Sequence, residues 1–257
     1  DFTFMGSATA VEMAGATPVF CDIDPQTLQA NVAHFEAALT PRTRAIMPVH
    51  IYGMTCEIGP LAAFARQRKL LVIEDAAQAV GVRYRGQHAG TFGDVGCFSF
   101  FADKTITTGE GGLIVTSDQR RYEFLRLLRN QGRMDRGSFI HPAIGYNFRM
   151  TDLQAAIGLV QLGKLEQIVA QKNRLLAAYQ ERLRELPQVR MIAVTPDSSY
   201  IPFRIAIYAE RAVELMKFME TRGIQRGQVK NVTGFADTNL RVAADPLDPR
   251  NRRVSIL

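Results

Sequence analysis

An α/β fold with a largely parallel sheet is what this sequence predicts, and three observations carry the prediction. Short β-branched or aliphatic runs alternate with amphipathic helical stretches along most of the chain. The runs after the first two are short and apolar on both faces, as strands covered by helices on either side must be. The 257 residues, 47% hydrophobic and 22% charged, supply enough apolar material for a large core.

The predicted strands are 18–23, 45–50, 70–74, 96–100 and 113–116. Helices are predicted over 3–14, 31–39, 60–68 and 118–130, the last with Leu125 and Leu128 at apolar positions. Thr151, followed three residues later by Gln154, has the spacing of a capping box. It announces a helix that can run through Leu162, Leu165, Ile168 and Leu175 to about Leu183. At 1.5 Å per residue such a helix would reach about 50 Å, long enough to bridge two domains. Beyond Pro187 a weaker set follows: strands over 190–194 and 201–208, then a helix over 211–222 with Gly223 as its stop. The expected organisation is a large domain over 1–183 and a smaller, partial C-terminal α/β domain over 184–257. From about 226 onward no structure is predicted. Because the chain begins at Asp1 and is at once inside a strand-helix pattern, it reads as a fragment.

Composition narrows the function. The 31 Lys+Arg against 25 Asp+Glu give a formal charge of +6, spread along the chain without the basic run that nucleic-acid binding favours. Cys21, Cys56 and Cys97 lie far apart with no C-x-x-C pair and no His cluster, so buried free thiols are expected in place of a disulfide framework or a metal site. No stretch has the roughly 20 apolar residues of a membrane helix and no signal-peptide pattern opens the chain, so a cytoplasmic location is expected.

The chemistry is concentrated between Ile73 and Gly112. In IEDAAQ a Leu/Val strand ends in Glu74 and Asp75, with Gln78 three residues on. In open α/β sheets ligands bind beyond the carboxyl ends of the strands, so Asp75 is placed to meet one, or else to cap the following helix. In CFSFFADKTITTGEGG, Lys104 follows a buried strand and sits between an aromatic pair and a glycine-rich turn. A lysine held against apolar surface is a nucleophile for a carbonyl or imine; the alternative is local pairing with Asp103 or Glu110. Gly109 to Gly112 lacks the spacing of a phosphate loop and reads as a tight turn close to a ligand.

Together with GATPVFCDID, PVHIYG, RNQGR and GYNFRMTDLQAAIGLVQL, these stretches closely resemble the DegT/DnrJ/StrS family of nucleotide-sugar aminotransferases, within the fold-type I pyridoxal-phosphate enzymes. The resemblance covers roughly 1–226 and extends to the order and spacing of the motifs. It implies a pyridoxal 5'-phosphate cofactor and an internal aldimine on Lys104, which would also shuttle the proton. Asp75 matches the carboxylate that pairs with the pyridinium nitrogen, and Gln78 a residue at the ring and its phenolic oxygen. Ser99 matches a hydroxyl donor to the cofactor phosphate. Phe4 matches an aromatic stacked on the ring, core packing being its other reading. Asn147 matches a residue reaching the phosphate in the partner subunit, which implies a homodimer with shared active sites. Arg133 and Arg149 stay open between nucleotide phosphates and carboxylates of the fold. His50 and Tyr52 end another strand, where they could line the site, although a lone His there is more often a structural hydrogen-bonder.

The implied reaction moves nitrogen from an amino acid, glutamate above all, to a nucleotide-linked keto-sugar, as in the making of cell-surface polysaccharides. Relatives that dehydrate sugars carry histidine at the lysine position, so Lys104 points to amino transfer. Two departures qualify the match: the Ser-Gly-Thr phosphate turn would lie upstream of Asp1, and the resemblance ends near Arg226. They leave two other expectations open. One is a catalytically incomplete fragment that serves as a binding or structural subunit through its long helix; the other is a related pyridoxal enzyme acting on a small amino acid.

Overall fold

The computed structural model describes residues 2–134, 137, 139–222, 232–234 and 254–256. Its elements, in chain order, are α1 (Met5–Met13), α2 (Val32–Ala38), β1 (Ala45–Ile46), α3 (Ile58–Gln67), β2 (Leu71–Asp75), β3 (Arg83–Tyr84), β4 (Gln87–His88), β5 (Val95–Ser99), β6 (Gly112–Val115) and α4 (Gln119–Arg129). There follow α5 (Asp152–Gly163), α6 (Leu165–Leu183), β7 (Val189–Met191), β8 (Ile207–Ala209), α7 (Ala212–Thr221), β9 (Val232–Gly234) and β10 (Val254–Ile256). The central sheet runs β1-β2-β5-β6; β1, β2 and β5 are parallel and β6 is antiparallel to β5. The α/β expectation therefore holds.

Helix starts follow side-chain chemistry. Asn31 and His34 cap α2 reciprocally, Asp118 accepts from Arg121 N at 2.7 Å at the head of α4, and Thr151 with Gln154 forms the expected capping box of α5. On α3, Ile58, Leu61, Phe64 and Ala65 share one buried face and pack with Phe35, Ile46 and Val72 into the main core. A second cluster joins Ala76, Ala79, Val82 and Ala89 to Ile201.

Five expectations need correction. Residues 18–23 form no strand: β1 is the edge of the sheet among the described residues, and Val19 and Phe20 stay exposed. The strand expected over 45–50 is interrupted after Ile46, because Pro48 has no N–H to donate; the ladder resumes as a bridge between Val49 and Asp75. The long helix is two helices. At Lys164 the backbone turns to φ −100°, ψ 0° and its N–H bonds Gln161 O, three residues back, just after Gly163, a poor helix former. Within α6, Val169 packs on the second cluster and Lys172 Nζ donates to Pro202 O at 3.0 Å.

The strand expected over 201–208 is confined to its end, where β8 pairs antiparallel with β7. Upstream, the chain spends its donors elsewhere: Ile201 N bonds Gly53 O at 2.9 Å and Phe203 N bonds Tyr52 O at 3.2 Å, while Pro202 has none to offer. Residues 201–204 thus form a strap across the loop that follows β1. From 226 no structure was predicted, yet β9 and β10 pair antiparallel there; the Gly223 stop lies outside the described residues.

Gly53 makes the strap possible. Its φ is +89°, and a Cβ there would sit 1.8 Å from Ile201 O. We expect Gly53→Ala to cost about 2–4 kcal/mol from left-handed strain plus the forced shift of the strap, read as a lower denaturant midpoint.

Candidate active site

The parallel strands β2 and β5 end side by side, with Asp75 in register with Cys97, and the polar groups collect there. Strand alternation gives neighbouring carboxylates opposite faces: Glu74 lies with Val72 on the buried face, Asp75 with Ile73 on the other. Glu74 is fully buried and accepts four N–H groups. Its Oε1 takes Phe92 N and Gly93 N; its Oε2 takes Gly90 N and His50 Nε2, at 2.9 Å. His50 Nδ1 accepts from Cys56 N, so the ring hydrogen is assigned to Nε2. Burial pushes the Glu74 carboxyl up, but the His50 contact and the backbone N–H groups of Gly93 and Gly90 together outweigh it and hold the acid below its ordinary value. This hub supports Asp75: its N–H bonds Pro48 O and its carbonyl accepts from His50 N, both at 2.9 Å.

Asp75 itself accepts from Ala77 N at Oδ1 (3.1 Å) and from Ser7 Oγ at Oδ2 (2.7 Å). The second bond pins α1 over the strand ends. Phe4, at the head of that helix, is 70% exposed, which removes core packing as its role. Gln78 turns its Oε1 to Tyr52 N at 2.8 Å. Tyr52 holds a left-handed backbone (φ 57°, ψ 14°), a strain common near functional sites, and its ring meets Phe2 edge-on. Ser99, at the end of β5, accepts from Phe101 N.

Lys104 lies in the turn beyond β5 with its side chain 15% exposed. Its Nζ sits 4.6 Å from the centroid of the Phe203 ring and 4.0 Å from Asp103 Oδ1, so local pairing and an aromatic seat coexist. Arg204 shares both partners, stacking on Phe203 at 4.8 Å and bonding Asp103 at 2.7 Å. The strap therefore links Gln78, through Tyr52, to Lys104. Gly109 and Gly111, both with positive φ, form the expected turn, held by Gln154 Nε2 on Glu110 O.

Asn147 stands apart, with no hydrogen bond to Lys104, Asp75, Gln78 or Ser99 among the described residues. It bridges Asn130 and accepts from Arg149 Nε at 2.9 Å. Arg133 donates to Gln131 Oε1 and stacks on Phe139, while its buried Nε lacks a bond among the described residues. Neither arginine pairs with a carboxylate there. The sequence offered no signal for Ser7, Phe203 or Arg204, whose roles depend on contacts with distant residues; Tyr52 was marked by its place at the end of a strand, within PVHIYG. Cys56 is buried and Cys21 and Cys97 are partly buried; burial pushes the Cys97 thiol up to about 11 and Cys56 to about 12.

A lysine and a carboxylate at the carboxyl ends of parallel strands suit the chemistry of a carbonyl cofactor with a basic ring nitrogen. The chain belongs to the DegT/DnrJ/EryC1/StrS aminotransferase family, whose model matches residues 1–231. It has the fold-type I architecture of pyridoxal-phosphate-dependent sugar aminotransferases. It is 48% identical over 186 residues to the GDP-perosamine synthase of Caulobacter vibrioides, covering 72% of this chain and 50% of that protein. With the UDP-N-acetyl-3-dehydro-alpha-D-glucosamine 3-aminotransferase of Acidithiobacillus ferrooxidans it shares 43% identity over 183 residues, 71% of this chain and 49% of the relative. The crystal structure of S. venezuelae DesV in complex with a ketimine intermediate superposes with a TM-score of 0.82 at 36% identity, over 87% of this chain and 60% of that one. The chain spans about half the length of the curated relatives it matches. No helix among the described residues is long and apolar enough to cross a membrane.

Proposed function

We propose that this chain carries the cofactor centre of an aminotransferase that uses pyridoxal 5'-phosphate to move an amino group from glutamate to a nucleotide-linked keto-sugar. The observation that carries the reading is the little-exposed Lys104, seated on Phe203 beyond the same strand ends that present Asp75. The donor set fits the cofactor: an amine for its aldehyde, a carboxylate for its ring nitrogen, an exposed aromatic for its ring face and hydroxyl and amide groups for its phosphate. When bound, pyridoxal phosphate supplies an electron sink and carries nitrogen between the two half-reactions.

The residues divide the work. Asp75, its carboxylate oriented by Ala77 N and Ser7 Oγ, would accept the ring N–H and keep that nitrogen protonated. With its oxygen engaged by Tyr52 N, Gln78 offers its NH2 to the phenolic oxygen. The Ser99 oxygen accepts from Phe101 N, which leaves its hydrogen for the phosphate. Phe4 would cover one ring face. Lys104 would supply the amine that holds the cofactor and the base that moves the substrate proton.

Asn147 serves the phosphate bound by a second copy. Leu153, Leu159, Val160 and Leu162 on α5 are exposed here, and Ile144 and Phe148 beside Asn147 are too, an apolar surface that suits a homodimer. Residues 1–183 form the cofactor domain and 184–257 part of a second, whose strap reaches Lys104. Nucleotide-sugar and glutamate place the reaction in the cytoplasm.

Incubation with pyridoxal phosphate, glutamate and GDP- or UDP-linked keto-sugars tests this by mass spectrometry. The expected product is an amino-sugar nucleotide with one equivalent of 2-oxoglutarate; amino transfer confined to small keto acids would overturn the substrate assignment.

A further inference from the structure

We propose that Arg149 is a positioning residue that decides which end of the Asn147 amide faces a phosphate. The inference rests on Asn147 as the contact to the cofactor phosphate and goes beyond it by naming what orients that contact.

A guanidinium can only donate hydrogen bonds, so whatever it touches must be an acceptor. Arg149 Nε donates to Asn147 Oδ1 at 2.9 Å and a terminal nitrogen donates to Asn130 Oδ1 at 3.4 Å. One side chain thus turns two amide oxygens inward. Asn130 Nδ2 is in turn occupied by Arg133 O at 3.1 Å, whereas Asn147 Nδ2 makes no hydrogen bond among the described residues. The backbone holds the pair in place: Asn130 and Asn147 form an antiparallel bridge, Gln131 N bonds Tyr146 O at 2.8 Å, and Phe148 N bonds Arg129 O at 3.1 Å.

With its oxygen held, Asn147 presents only its two N–H donors outward, with a positive guanidinium behind them. Flipped, the amide would set an oxygen against the anion and an NH2 against the guanidinium, both repulsive. Asn147 and Arg149 are exposed on this chain, where a ligand bound by a second copy can reach them.

The test compares affinities for pyridoxal phosphate and for pyridoxal, which lacks the phosphate, read from the visible band in the unaltered chain, Arg149→Gln, Arg149→Lys, Asn147→Ala and the Arg149→Gln/Asn147→Ala double variant. Arg149→Gln should lower the preference for the phosphorylated form about tenfold, leave pyridoxal affinity unchanged, and have no further effect once Asn147 is alanine. Arg149→Lys should behave similarly, because an ammonium cannot span both amides in the fork geometry. Equal losses for both ligands, an unchanged preference or additive effects in the double variant would overturn the proposal. If Asn147→Ala alone leaves the preference unchanged, the phosphate contact fails as well; if only the arginine variants do, the contact stands and the positioning role falls.

Discussion

Lys104→Ala is expected to show no visible band with pyridoxal phosphate and to lose turnover by at least about 10³-fold, since on the proposed reading one side chain would both hold the cofactor and move the proton. The alanine removes the amine without disturbing the fold, because Phe203 and the strap remain bonded to residues 52 and 53. Lys172 is the informative comparison. Burial, and then the nearby Arg204 charge, hold its amine below the ordinary lysine range, so it is the second amine to compare. Its Nζ donates to Pro202 O, and Lys172→Ala should keep the band. A band that survives in Lys104→Ala and disappears in Lys172→Ala would move the attachment point.

Glu74→Gln is expected to cost about 3–5 kcal/mol of folding stability, measured by urea denaturation, because turning either oxygen into an NH2 leaves two buried N–H donors without an acceptor, at about 1–3 kcal/mol each. The carboxylate accepts from His50, Gly90, Phe92 and Gly93, and an amide NH2 would point a donor at donors. The pH dependence has a definite sign. Since the folded-state pKa of Glu74 is lowered, its contribution is complete above the unfolded value of about 4.3 and is lost as pH falls through the folded value. Acidification below about pH 5 should therefore destabilise the unaltered chain more steeply than Glu74→Gln.

The parts of this fold legible in the sequence are those written locally. Thr151 with Gln154 and Asp118 announce helix starts through bonds to residues three positions away, and the aliphatic run before Asp75 needs only its own alternation to read as a strand. What escaped depends on distant partners. Residues 201–206 have the composition of a strand, but their N–H groups bond a loop about 150 residues earlier. A continuous apolar periodicity across 151–183 hides the break at Lys164, where only Gly163 hints at one. Within the site, Asp75 and Lys104 stand out because one ends a strand and the other follows one, whereas Gln78 and Ser99 come from the family resemblance; contacts through the 50s loop then link Gln78, by way of Tyr52 and Phe203, to Lys104. Phe203 and Ser7 could not be read, since nothing near them in sequence shows that one seats Lys104 and the other meets Asp75.

The central claim is that Lys104 and Asp75 form a pyridoxal-phosphate centre able to take nitrogen from an amino acid. Its most direct test is the absorbance spectrum of the purified chain with pyridoxal phosphate, before and after glutamate, beside Lys104→Ala. A visible band that requires Lys104 and is replaced by a shorter-wavelength one on adding glutamate is the predicted result. A folded sample with no Lys104-dependent band, or with one that glutamate leaves unchanged, would contradict it.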